Sequence, residues 1–222
     1  MNHDDKPAAP PPEDFASWWA APGAWVEEPN QRRSGWSGMM RARFGGHTYY
    51  VKKQCNHLCR TLGHPFGWPT VSREYANIRC LQSLGITVPQ PVFHGSRRTA
   101  EGYEGLLVTE ELAGFTDLAA QGQRSPAEKS RLAAAVGQML GRMHRHNLQH
   151  SCLYDKHIMV RWQDGQPMVA LIDLEKLRRT WLPGKAARHD LEQLARHQKI
   201  WSDADWALLV EAHRAAGKPA SR

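Results

Sequence analysis

The residues best suited to chemistry in this sequence are a histidine and a carboxylate at the two ends of a predicted β-hairpin. Two apolar runs, residues 157–162 and 168–172, are typical of strands, and the Asp164-Gly165 pair between them is a strong signal for a tight turn. A hairpin brings its ends together, so His157 and Asp173 are expected to converge. Such a pair can hold a divalent metal, and phosphoryl transfer depends mostly on magnesium held against phosphate oxygens.

A lysine at the end of another apolar strand is the next group that fits phosphate chemistry. Residues 48–52 predict a strand, and Lys52 ends it as the phosphate-pairing lysine of a kinase does. Lys53 is the alternative, since strand alternation sends the two side chains to opposite faces. Glu74, in the first turn of a predicted helix, either complements the helix dipole or forms an ion pair with Lys52. With the other groups present, the sequence favours the ion pair.

A segment rich in small residues, 34–38, precedes the strand pair that leads to Lys52 and turns at Gly45-Gly46. Glycine lets the backbone approach phosphate closely, so a flexible segment here can lay its N–H groups over a nucleotide. Ser37 and Gly38 are the candidates for this contact. Glycine is also common in hairpins, and the prediction depends on the lysine that follows.

The elements that position these groups are readable from hydrophobic periodicity and capping signals. A helix is predicted over residues 71–84 with Ser72 as its N-cap, and a long helix runs from Ser125-Pro126 to near Asn147. The other expected elements are strands at 92–95 and 105–110, a turn-rich connector at 65–69, and helices at 186–197 and 201–216.

The stretch HSCLYDKH, residues 150–157, looks like a kinase catalytic loop of pattern His-x-Asp-x-x-x-x-Asn, with His157 in the Asn place. Asp173-Leu174-Glu175 looks like the metal-binding Asp-Phe-Gly turn. The sequence most resembles the lipopolysaccharide-core kinases, the heptose and Kdo kinase (WaaP-like) group, and within it the InaA-like branch. It departs from the family pattern at Cys152, which occupies the place of the catalytic Asp.

The resemblance implies an α+β, bilobal protein-kinase-like fold that binds ATP and Mg²⁺. It divides residues 15–222 into a small antiparallel-sheet N-lobe (15–112) and a mainly helical C-lobe (113–222). Residues 1–14 are Pro-rich and lack apolar periodicity, which predicts a disordered tail. Asp190 resembles the structural Asp that braces the catalytic loop. The roles implied for the remaining residues are nucleotide binding for Ser37, Gly38, Lys52, Glu74 and the hinge residues Glu110 and Leu112, metal binding for His157 and Asp173, and catalysis for His150, Cys152 and Asp155.

Cys152 decides which function the resemblance supports. A thiol has a pKa of about 8.5 and is a poor general base. A general base contributes roughly 10²–10⁴-fold, whereas positioning and metal charge supply most of the rate in phosphoryl transfer. Asp155 either swings into the role or is a solvated loop carboxylate. The chain is thus expected to phosphorylate a hydroxyl of a lipopolysaccharide-core sugar or similar saccharide, or to be a degenerate kinase (pseudokinase) that binds nucleotide in regulation or stress response.

Charge and composition bound the partners and the location. The chain has 29 Lys plus Arg against 22 Asp plus Glu, a net charge of +7, which is either ordinary surface charge or fits an anionic partner. Peripheral contact with the anionic inner membrane is one such interpretation. Nucleic acid is not an expected partner, since no recognised binding motif occurs. No apolar run approaches the ~18 residues of a membrane span, and the acidic, Pro-rich start is unlike a signal peptide. The sequence therefore predicts a cytoplasmic protein.

Overall fold

The structure is a computed structural model. No helix among the described residues is long and apolar enough to cross a bilayer. In the described part of the predicted tail, residues 9–14, Gly45 N donates to Ala9 O at 2.8 Å and Asp14 caps the first helix. Residues 1–8 of that tail lie outside the described residues. The structure describes residues 9–32, 35–61 and 63–217.

The described residues form two compact units. The first runs to Ala76 and resumes with Pro89–Leu112, and the second contains Asn77–Val88 and the described residues from Ala113 onward. The segment Asn77–Val88, which the prediction placed in the N-lobe, thus belongs to the second unit.

The first unit is built on a five-stranded antiparallel sheet of order β1-β2-β3-β7-β6. A separate two-stranded ribbon, β4-β5, occupies the predicted connector at 65–69. The elements are α1 (Phe15–Ala20), β1 (Ala24–Arg32), β2 (Gly35–Phe44), β3 (His47–Cys55), β4 (Leu58–Thr61), β5 (His64–Pro69), α2 (Thr70–Ser83), β6 (Pro91–Thr99) and β7 (Gly102–Glu110).

Strand β1 was not predicted. It is an edge strand of the sheet, and its described side chains are exposed, so it carries no alternation of apolar and polar residues. Pro29 is tolerated there because an edge strand leaves one row of backbone groups unpaired. The inner strands carry the core instead, where α1 packs Trp18 among Met40, Tyr49, Val51 and Val108.

Helix α2 starts at Thr70, one residue before the predicted range, and Ser72 lies inside it. Ser72 is therefore not the N-cap, and its hydroxyl lies 2.9 Å from His94 Nε2. The side chain of Gln54, on β3, satisfies the start of the helix: its Oε1 accepts from Val71 N at 3.0 Å and from Thr70 Oγ1 at 2.8 Å. A cap supplied by another strand leaves no signal in the local sequence.

The second unit is mainly helical. Its long helix begins as predicted, because Ser125 and Glu128 form a capping box and Pro126 occupies the first turn. This helix packs closely on the last one, and a Cβ at Gly137 or Gly141 would meet backbone of that helix. The elements are β8 (Thr116–Asp117), α3 (Pro126–Arg145), β9 (Leu148–Gln149), β10 (Ile158–Gln163), β11 (Gln166–Leu171), β12 (Arg178–Arg179), α4 (Lys185–His197) and α5 (Asp203–Gly217).

The predicted hairpin is confirmed as β10 and β11. Asp164 and Gly165 form its two-residue turn with φ of +50° and +72°, the left-handed conformations that a type I′ turn requires. The register pairs Ile158 with Leu171, so the residues just outside the hairpin are brought together. Ile172 N donates to His157 O at 3.1 Å and extends the pairing by one step.

Candidate active site

In the first unit, a lysine of the central strand forms an ion pair with a glutamate of the helix. Lys52 Nζ lies 2.7 Å from Glu74 Oε2, and the two side chains are 13% and 10% exposed. Taking two charges out of water is costly unless they are paired closely. The predicted ion pair is therefore present, and it fixes the ammonium of Lys52 on one face of the sheet.

Lys53 takes the opposite face, as strand alternation requires. Its Nζ donates to Trp19 O at 2.6 Å, on α1, and burial lowers the pKa of this ammonium. Lys53 is therefore engaged in holding α1 on the sheet, whereas Lys52 pairs with the glutamate. The geometry favours Lys52 over Lys53 as the phosphate lysine, and that role remains a prediction.

Ser37 and Gly38 are not in a flexible lead-in segment, so this part of the prediction is wrong. Both lie within β2, where Ser37 pairs with a residue on each neighbouring strand and Gly38 pairs with Lys53 of β3. Ser37 Oγ accepts from Gln54 Nε2 at 3.1 Å, and a Cβ on Gly38 would lie 2.7 Å from the Trp25 ring. Gly38 is thus explained by close packing. The connection between β1 and β2, residues 33–34, lies outside the described residues and includes Ser34.

The predicted hinge residues follow the end of β7. Glu110 is the last residue of the strand, and its N–H donates to Gln90 O at 2.9 Å. Leu112 is the last residue of the first unit and is half-buried. Between them, Glu111 forms a 2.9 Å ion pair with Arg41, a contact that the sequence did not indicate. Adenine binding by this linker remains a prediction.

In the second unit, His150 is a positioning residue. It is fully buried, and its Nε2 lies 3.0 Å from Ile172 O. Because a carbonyl only accepts, the proton is on Nε2, and burial lowers the pKa of the imidazole, which keeps it neutral. His150 thus ties the loop to the residue before Asp173. Its Nδ1 has no hydrogen-bond partner among the described residues.

His157 and Asp173 approach each other at the open end of the hairpin. His157 Nδ1 lies 2.7 Å from Cys152 O, so Nδ1 carries a proton, and in the neutral ring Nε2 keeps its lone pair. That Nε2 lies 3.5 Å from Asp173 Oδ2, and the Asp173 side chain is 40% exposed. Two acceptors facing each other repel unless a cation or a proton lies between them. The predicted convergence is therefore observed, and its chemistry suits a cation.

The backbone at the same place is strained. Ser151 and Asp173 have φ of +71° and +57°, the left-handed region that non-glycine residues rarely adopt. Strained residues persist when the surrounding structure over-determines them, and they cluster at functional sites. Here the buried imidazole of His150 and the hydrogen bonds of the β10–β11 hairpin hold Asp173 in place.

Asp190 braces the loop, as predicted. Its carboxylate is fully buried and accepts from His150 N at 2.6 Å and from Ser151 N at 3.1 Å. The rings of His144 and His189 lie within 3.2 Å of the same carboxylate. Burial raises the pKa of Asp190, but these hydrogen bonds outweigh it and leave the pKa below its usual value.

Cys152 and Asp155 have different surroundings. The Cys152 side chain is buried, and the structure uses its carbonyl, not its thiol, to orient His157. Asp155 starts a 3₁₀ turn, Asp155–His157, and its Oδ1 accepts from Lys156 N at 2.9 Å. A role for Asp155 as the base stays a prediction.

Two side-chain amides that position the loop were not predicted from the sequence. Gln193 Oε1, on α4, accepts from Leu153 N at 2.6 Å. Asn77 Nδ2, on α2, donates to Leu174 O at 2.7 Å and Leu177 O at 3.0 Å, and so holds the segment after Asp173. Both contacts join residues distant in sequence, and neither amide belongs to a local motif.

An antiparallel sheet with a lysine–glutamate ion pair, and a helical unit whose Asp-braced loop presents a histidine to a carboxylate, define a kinase-like α+β protein. The chain belongs to the lipopolysaccharide kinase (Kdo/WaaP) family, which matches residues 16–213. It is similar to protein InaA of Escherichia coli (strain K12), with 39% identity over 200 residues, 87% of this chain and 92% of InaA. The family and the InaA-like branch are thus confirmed.

A solved structure shows the same fold. The structure of WaaP in complex with acyl carrier protein matches with a TM-score of 0.71 and 23% identity, over 92% of this chain and 82% of that chain. The predicted α+β, protein-kinase-like fold is confirmed.

Proposed function

We propose that this chain is an ATP-dependent phosphotransferase that acts on a hydroxyl of a lipopolysaccharide-core sugar. The observation that carries the proposal is the 3.5 Å approach of His157 Nε2 to Asp173 Oδ2, with the His157 proton held on the other nitrogen. Family membership supports the reaction class and the type of acceptor. A saccharide hydroxyl and a nucleotide are therefore the expected substrates.

His157 and Asp173 fit a divalent cation. A carboxylate is a donor that Mg²⁺ prefers, and a neutral imidazole nitrogen is a common ligand of other divalent metals. The described residues contain no group of three or more His, Cys, Asp and Glu arranged for a metal. The remaining positions would therefore fall to phosphate oxygens and water, as is usual for Mg²⁺. When bound, the metal supplies positive charge against the phosphate oxygens.

The chain's own residues do the positioning. The ammonium of Lys52, held by Glu74, would pair with phosphate, and the linker that ends at Leu112 would bind adenine through its backbone groups. His150 and Asp190 hold the loop and Asp173 in place. Positioning of this kind provides most of the rate acceleration in phosphoryl transfer.

A specific observation favours a second candidate function, a degenerate kinase. Cys152, in the place of the catalytic Asp, is buried and contributes only its carbonyl to the loop. Such a chain would bind nucleotide and metal through Lys52 and Asp173 without turnover, and act in regulation or stress response.

Transfer of labelled phosphate from ATP to core oligosaccharide, with Mg²⁺, separates the two functions. Cys152→Asp restores a carboxylate and is expected to raise the rate by up to about 10²-fold, within the range for a general base. Cys152→Ser is the matched control, because it changes the thiol without adding a base. If Cys152→Asp brings no gain and Asp155→Asn abolishes transfer, Asp155 is the base. Absence of transfer in every variant, with ATP binding retained, would reject the phosphotransferase and leave the degenerate kinase.

We also propose a cytoplasmic location with peripheral contact to the anionic inner membrane. The net charge of +7 and the lipid-linked nature of a lipopolysaccharide acceptor support it. The WaaP structure was obtained in complex with acyl carrier protein. A protein partner is therefore the alternative to the membrane as the anionic partner of this chain.

A further inference from the structure

A turn in the second unit displays two large apolar side chains to solvent. Trp181 is 93% exposed and Leu182 is 63% exposed, and they are adjacent in sequence. They lie between β12 and α4, in the segment that follows Asp173. Exposed tryptophan beside exposed leucine is costly in water and is typical of a surface that meets an apolar phase.

Backbone hydrogen bonds on both sides of Trp181 and Leu182 fix the conformation of the turn. Lys185 N donates to Leu182 O at 3.2 Å, with Pro183 and then Gly184 between them, and Gly184 has φ +74° and ψ −13°. These features define a type II turn, which requires a positive φ at its third residue. On the other side, the buried Thr180 donates its N–H to Asn147 O at 2.8 Å. The backbone therefore holds the two apolar side chains outward.

Basic residues surround the turn. Residues 176–188 contain five Lys and Arg and no Asp or Glu. All five side chains are exposed, and none of them takes part in a salt bridge among the described residues. These residues are Lys176, Arg178, Arg179, Lys185 and Arg188.

We propose that this basic apolar turn, residues 176–188, is a docking surface for an anionic lipid bilayer. Tryptophan prefers the headgroup level of a bilayer, and leucine gains by leaving water. Lys and Arg within a Debye length of anionic headgroups, about 10 Å at 0.1 M salt, add attraction that salt screens. The inference rests on the proposed membrane contact and not on phosphate transfer, so a chain without turnover would dock equally.

The ribbon in the first unit offers a matched control. Phe66 is 95% exposed, as exposed as Trp181. Residues 58–69 around it contain a single Arg and no Lys. The proposal requires apolar exposure and clustered positive charge together, so Phe66 is not expected to dock.

The test is co-sedimentation of the full chain, without nucleotide, with vesicles of phosphatidylcholine alone or mixed with phosphatidylglycerol. We expect the wild type to bind the anionic vesicles and the double variant Trp181→Ser, Leu182→Ser to bind them at least about tenfold less. Arg178→Gln with Arg179→Gln should weaken binding by about tenfold at low salt and flatten its salt dependence. Phe66→Ser should bind as the wild type does.

The proposal is overturned if the wild type does not bind anionic vesicles, or if the Trp181, Leu182 variant binds them as well as the wild type. An equal loss in Phe66→Ser would also overturn it, because general stickiness would then explain binding. A variant that keeps vesicle binding but loses a complex with purified acyl carrier protein would make the turn a protein interface instead. All substituted side chains are exposed, so circular dichroism should show an unchanged fold.

Discussion

The two units hold their charged side chains by different means. In the first, Lys52 and Glu74 meet on regular secondary structure, a central strand and the first turns of a helix. In the second, His157 and Asp173 are held by a strained backbone and by a buried carboxylate that reaches across the unit. A regular scaffold thus fixes a charge through one direct ion pair, whereas an irregular loop needs a network of hydrogen bonds.

The largest expected effect follows from removing the brace of the loop. Asp190→Ala leaves the N–H groups of His150 and Ser151 buried without acceptors, together with the ring of His144. We expect a loss of about 3–5 kcal/mol in the free energy of unfolding, measured by urea denaturation. Glu192→Gln, an exposed change on the same helix, is the control and should leave the midpoint unchanged. An Asp190→Ala protein as stable as the wild type would show that the loop needs no network.

The ion pair of the first unit should matter for binding. Lys52→Met removes the ammonium that we propose binds phosphate, so Mg²⁺-ATP affinity should fall by about tenfold to a hundredfold in calorimetry. Lys53→Met is the matched control, since it removes the same charge from the neighbouring residue and only loosens α1. Equal ATP binding by Lys52→Met and Lys53→Met would remove Lys52 from the nucleotide site.

The smallest expected effect is on the loss of thermal stability at acid pH. Burial, then the nearby His144, lowers the pKa of His213 from 6.5 to about 4, so the folded chain keeps this ring neutral. The unfolded chain takes up a proton on this ring first, so the stability it contributes is complete above pH 6.5 and is lost as pH falls toward about 4. His213→Gln should therefore lose less Tm than the wild type over this window. His213 is only half-buried, so solvent limits the difference. Parallel Tm curves would contradict this.

Local signals in the sequence were enough for the elements that depend on local chemistry. Asp164-Gly165 predicted the hairpin turn, and Ser125-Pro126 predicted the start of α3, because each motif carries its own conformational requirement. The start of α2 was misplaced because its cap comes from Gln54, sixteen residues earlier in the chain. Strand β1 escaped prediction because an exposed edge strand has no apolar face.

The residues of the candidate site also fall into those that local signals predicted and those that they did not. The convergence of His157 and Asp173 followed from hairpin geometry, and Lys52 with Glu74 followed from motif order. Ser37 and Gly38 were misread because glycine serves close packing as often as flexibility. Bonds from Asn77 join residues 97 and 100 positions apart, a separation at which a single sequence holds no signal.

Binding of Mn²⁺, followed by electron paramagnetic resonance with ATP present, tests the central claim most directly. If His157 and Asp173 hold the cation, the wild type binds Mn²⁺-ATP saturably, and Asp173→Asn and His157→Ala weaken it by at least about tenfold. Asp164→Asn, a change to an exposed carboxylate in the hairpin turn, should leave binding unchanged. Wild-type affinity in both the Asp173 and His157 variants would contradict the account, because these two side chains would then hold no metal.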